Sequence, residues 1–144
     1  AAICAYLADA FPAAGLAPPP AERARYYRWM FFAAGPLEAA VINRTLKVEV
    51  SAEQQRMVGY GSYERAVDVL AAAVSAGADL AGGRVTAADG YGGAHVIWGT
   101  QFGTLPTRGE FSDYAARLVE RPAYRSAKAI DDELGQRLKG AASS

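Results

Sequence analysis

An all-α bundle is the fold class this sequence predicts, and three observations predict it. Apolar residues recur at helical spacing in the segments between turns, and no stretch alternates apolar with polar residues as a half-buried strand would. Gly and Pro cluster between those segments, where helices must stop and restart. Thr86 followed three residues later by Asp89 has the spacing of a capping box, so one central helix carries its own start signal. At 144 residues with 51% hydrophobic content, the chain is long enough for one domain burying about 70% of its unfolded surface. Six helices joined by loops of a few to a dozen residues are expected.

The first helical pattern is Ile3, Tyr6, Leu7 and Ala10, running to about Phe11. It has no N-cap and no signal-peptide charge, and it reads as beginning inside an element. Residues 12–19, from Pro12 to Pro19, are rich in Pro, Gly and Ala and read as a stiff connector. A second helix is expected from Pro20 to Lys47, apolar nearly all round in its first half through Tyr26, Tyr27, Trp29, Met30, Phe31 and Phe32. Pro36 removes a backbone donor and crowds the carbonyl of Phe32, so a kink is expected near Gly35 and Pro36.

A third helix is expected from Ala52 to Ala76 on the stripe Met57, Tyr60, Tyr63, Val67, Leu70 and Val74, closed by Gly77. Gly59 and Gly61 within it lack the preceding strand and the spacing of a phosphate loop. The capped helix begins at Thr86 and carries no charge in the dozen residues after Asp89. Its glycines would weaken an isolated helix by roughly 1 kcal/mol each relative to Ala, so close neighbours must hold it. A loop follows from Thr104 to Gly109, then a short helix on Phe111, Tyr114, Ala115 and Leu118. Pro122 restarts the chain, a last helix is expected from Ala123 to about Leu134, and residues 140–144 read as a polar tail.

Composition narrows the function classes. Fifteen Lys and Arg balance fifteen Asp and Glu, so no global field draws nucleic acid or an anionic membrane, and neither is expected as a partner. Cys4 alone excludes an internal disulfide and fits a reducing, cytoplasmic setting, and no Cys/His spacing suggests a metal. The most apolar region, Trp29 to Ile42, is interrupted by Gly35, Pro36 and Glu38 and is too short to span a bilayer.

Four segments, taken in order and at their spacing, resemble the C-terminal part of bacterial cytosolic glutathione transferases: Ala2 to Pro12, Arg25 to Glu38, Gly82 to Asp89, and Tyr114 to Ala123. The resemblance covers essentially the whole chain. It implies a helical domain whose central helix opens on the Thr86–Asp89 box, with residues 1–11 ending the last helix of a missing thioredoxin-like domain and residues 20–139 forming the helical domain itself. The missing domain would bind glutathione, the co-substrate, and carry the residue that activates its thiol. No catalytic residue is then expected here, and the segment alone is expected to be inactive. Cys4 lies on the remnant helix, not where cysteine-type members keep their nucleophile.

The resemblance further implies that the domain supplies the apolar wall of a cleft for a small apolar electrophile and part of a homodimer interface. The site residues it suggests are Tyr27, Phe31, Ala34 and Glu38 on the second helix and Trp98 and Phe102 on the capped one. The plain alternative for each aromatic is core packing, and for His95, the only histidine, a packed side chain. Glu38, a carboxylate in an apolar helix, needs a partner or water. The chain lacks the Asn, His and Lys that the beta-like class places near Phe31, Glu38 and Ala39, and Gly90 stands where a hydrophobic staple would pair with Val85, so a staple through Tyr91 or none at all is expected. Glutathione-dependent reduction, isomerisation or dehalogenation on the same fold, or a non-catalytic interaction module, are the other readings. Tyr26, Trp29, Phe31 and Phe32 are expected to be bare without the missing domain.

Overall fold

The computed structural model describes residues 1–75 and 79–142, and among them every regular element is helical. Helix α1 spans Ala2–Ala10, α2 Arg23–Phe32, α3 Glu38–Thr45, α4 Tyr63–Ser75, α5 Ala87–Gln101, α6 Gly109–Val119 and α7 Pro122–Ala142. A π-helical turn, Ala33–Leu37, joins α2 to α3 into one continuous rod. Counted that way, six helical rods build the described structure, as the sequence predicts.

Where the sequence predicts a kink, the rod carries this π turn. Pro36 has no N–H to offer the carbonyl of Phe32, and widening the helix there accommodates the ring without breaking the rod. The turn also sets the rod's later face, burying Leu37 completely.

Helix α5 lies at the centre, packed against α1, α2, the π turn and α6. Its glycines are how it gets there. A Cβ on Gly93 would strike the Leu118 side chain of α6, and one on Gly99 would lie 2.6 Å from Cγ of Leu105. Those positions let neighbours approach the backbone itself. Close packing therefore offsets the poor helix propensity, as the sequence requires. The main core joins Tyr26, Met30, Leu37, Leu70, Val96, Phe111 and Tyr114.

The capping box is formed and completely buried. The Thr86 N–H donates to Asp89 Oδ2 at 2.8 Å, and Thr86 Oγ1 accepts from the Ala88 N–H at 3.3 Å. The hydroxyl thus serves the second helical residue more directly than the N–H of Asp89 that the spacing suggested. Asp89 also accepts from the Leu80 N–H at 2.6 Å and from the Tyr114 hydroxyl at 2.8 Å. The next orphan donor, the Ala87 N–H, finds the Leu16 carbonyl at 2.8 Å. Residues 12–19 are accordingly tied down: Pro12–Ala14 forms a 3₁₀ turn, Pro18 is buried, and its carbonyl accepts from Arg23 Nε. Val85 packs on the main core, while exposed Gly90 has no side chain to staple it.

Two boundaries differ from the sequence expectation. The helix expected from Ala52 begins only at Tyr63, after a 3₁₀ turn at Gln54–Arg56. Gly61 stands at φ +72°, which no helix tolerates, and Ser62 Oγ caps the new start through the Arg65 N–H. Met57 is consequently 84% exposed, and Tyr60 packs from a loop onto Ala40 and Ala66. The expected end at Ala76 and Gly77 lies outside the described residues. Finally, α7 continues through Gly135 and Gly140 to Ala142, where a stop near Leu134 and a tail from 140 were expected. The pairing of Lys128 with Asp132 and of Glu133 with Arg137, each four residues apart, supports an exposed helix that two glycines do not stop.

No helix among the described residues is long and apolar enough to cross a membrane.

Candidate ligand cleft between two helices

Tyr91, His95, Trp98 and Phe102 follow one another at four, three and four residues along α5, which puts them on a single face. That face looks toward the start of α3, where the π turn places Glu38. Between them lies an open cleft of about 380 Å³, floored by Leu37 and Leu105 and walled by Val41, Ile42, Trp98 and Phe102. Trp98 and Phe102 are 63% and 70% exposed, so these rings are available to a ligand and not spent on the core.

The polar groups in this cleft are few and connected. The Tyr91 hydroxyl donates to Glu38 Oε2 at 3.2 Å, the partner that a carboxylate on an apolar helix requires. Burial raises the Tyr91 pKa and the negative charge of Glu38 raises it further, so the phenol stays protonated and remains a donor. His95 meets the Tyr91 ring edge-on at 5.0 Å between centroids. Burial lowers the His95 pKa, with Glu38 opposing, so the imidazole is neutral at pH 7. Its Nε2 is buried and has no hydrogen-bond partner.

The six residues suggested by the sequence separate into two groups. Glu38, Trp98 and Phe102 come together at the cleft. Tyr27, Phe31 and Ala34 do not line it and lie earlier on the rod. Tyr27 and Phe31 have ring centroids 6.2 Å apart, the Tyr27 hydroxyl accepts from Arg23 Nη1 at 3.3 Å, and Ala34 sits half-buried in the π turn. The expected bare patch on α2 is also smaller than anticipated. Tyr26 and Trp29 are buried and Phe32 is half-buried, because α2 packs on α5 along that side, which leaves Phe31 exposed.

Tyr91 was missed by sequence reasoning, although it stands seven residues before Trp98 and therefore on the same face. His95 was read as a packed side chain, and its burial agrees with that, but it packs at the margin of the cleft.

A larger cavity of about 850 Å³ opens between α1, α5 and the α6–α7 corner, lined by Cys4, Leu7, Phe11, Ile97 and Tyr124 among others. Its buried polar groups, Thr86 and Asp89, are already committed to the cap, and Arg121 and Tyr124 line it as well. Cys4 is half-buried against the main core. Among the described residues no group of three or more His, Cys, Asp or Glu is placed to hold a metal ion. Compared with family models, with curated proteins and with solved structures, the chain finds no match in any of the three.

Proposed function

We propose that this chain is the helical domain of a glutathione transferase-like protein, and that the α3–α5 cleft is the apolar wall against which a small electrophile binds. The observation that carries the reading is the cleft itself: the largely exposed rings of Trp98 and Phe102 and an aliphatic floor of Leu37 and Leu105, with Glu38, Tyr91 and His95 among the polar side chains that line it. Such a surface desolvates and orients an apolar molecule. The buried Thr86–Asp89 box at the start of that helix also supports the reading, because it stands where the sequence resemblance puts it.

In this reading the reaction is attack of the glutathione thiolate on an electrophilic carbon, forming a C–S bond as the leaving group departs with its electron pair. Activation of the thiol belongs to a thioredoxin-like domain, and the helical domain contributes shape, exclusion of water and part of a homodimer contact. None of its own residues is assigned a catalytic role.

The test pairs two measurements on the chain. Incubated with glutathione and 1-chloro-2,4-dinitrobenzene, it is expected to show no turnover above the buffer rate. Titrated with the product, S-(2,4-dinitrophenyl)glutathione, it is expected to show saturable quenching that Trp98→Phe abolishes. Turnover by the chain alone, or quenching that does not saturate, would overturn the proposal.

A further inference from the structure

Glu38 lines the cleft and has no ion-pair partner among the described residues. One of its oxygens is engaged by Tyr91, through a neutral hydroxyl that leaves the charge uncompensated. The nearby imidazole is neutral and its Nε2 is buried, which leaves Glu38 as the acceptor a ligand can reach. Beside it stand Trp98 and Phe102, whose ring faces favour positive charge. A site with a carboxylate and exposed aromatic rings, and with no Lys or Arg among its lining residues, complements one kind of ligand.

We infer that the α3–α5 cleft selects apolar ligands that carry a protonated amine, the ammonium meeting Glu38 and the apolar body lying against Trp98 and Phe102. The inference rests on the cleft being a small-molecule site and names the charge of what it takes. An ammonium brings N–H donors to the Glu38 carboxylate and compensates its charge. A carboxylate-bearing ligand of the same shape would instead meet Glu38 as a like charge.

The experiment uses three ligands with the same naphthalene body: 2-(1-naphthyl)ethylamine, 2-(1-naphthyl)ethanol and 3-(1-naphthyl)propanoate, each titrated calorimetrically into the chain at pH 7 and low salt. The amine is expected to bind roughly five- to tenfold more tightly than the alcohol, and the carboxylate more weakly than either. In Glu38→Gln, whose amide oxygen can still accept from Tyr91, the amine-to-alcohol ratio is expected to fall to near one. Equal binding of amine and alcohol to the wild type, or a ratio that survives Glu38→Gln, overturns the charge selection while leaving the cleft as a site. Absence of binding by all three overturns the cleft reading and the inference together.

Discussion

At Asp89 four donors converge on one buried carboxylate: the N–H groups of Leu80 and Thr86 and the hydroxyls of Thr86 and Tyr114. Half of that arrangement was legible, since Thr86 and Asp89 are three residues apart and their chemistry is local. The partners at Leu80 and Tyr114 were not, because nothing in the sequence says that a turn nine residues upstream and a helix 25 residues downstream will meet the same side chain. Their presence changes the expected cost. Asp89→Ala removes the acceptor of all four donors and is expected to lower stability by on the order of 3–5 kcal/mol, whereas Thr86→Ala should cost about 1–2 kcal/mol. Urea unfolding monitored by circular dichroism measures both. A parental midpoint in Asp89→Ala would refute the central role given to this residue.

His95 supplies a second prediction at the same scale. Its folded pKa lies below the ordinary histidine value because burial disfavours the charged ring. The unfolded chain therefore binds the proton more readily. The stability contributed by neutral His95 is fully present above the unfolded pKa and is lost as pH falls through the folded pKa. As the only histidine, its ring C–H resonances can be followed by NMR without assignment. A titration midpoint below about 6.5 is expected, and one at or above it would contradict the burial.

Helix α5 shows what an element needs beyond its own propensity. The sequence announced its start and the need for close packing, and its glycines turn out to differ in role. Gly93 lies against the Leu118 side chain, whereas a Cβ on Gly90 would meet open space. Gly90→Ala is therefore expected to raise stability by about 0.5–1 kcal/mol through helix propensity alone. Gly93→Ala gains the same propensity yet must displace the Leu118 Cδ1 methyl from its buried place, and is expected to lower stability by about 1 kcal/mol. Denaturant midpoints that move in the same direction for both would refute the packing described. The late start of α4 was less legible because the stripe through Met57 and Tyr60 keeps helical spacing across Gly61, and only the positive φ there reveals the break. Likewise the length of α7 depends on charge pairs on an exposed helix, a signal weaker than the glycines that seemed to end it.

Across the whole molecule, the α2–α3 rod and the central α5 together create the cleft. Without the π turn at Pro36, the rod would present a different side of α3 to α5, and Glu38 would not stand beside Tyr91. Helical spacing put Tyr27, Phe31, Ala34 and Glu38 on one face, which holds for a straight helix. The π turn adds a residue's worth of rotation between the first three and the last, so the rod divides its site candidates where the sequence joined them. Trp98 and Phe102 were legible because α5 is regular. The assignment of this cleft to an apolar ligand is the central claim, and ¹H–¹⁵N NMR mapping with S-hexylglutathione tests it most directly. Shifts are expected at the amides of Glu38, Val41, Tyr91 and His95, which line the cleft and not the larger cavity, while the Trp29 indole in the core stays in place; shifts confined to residues of the α1–α7 cavity, or none at saturating ligand, would contradict it.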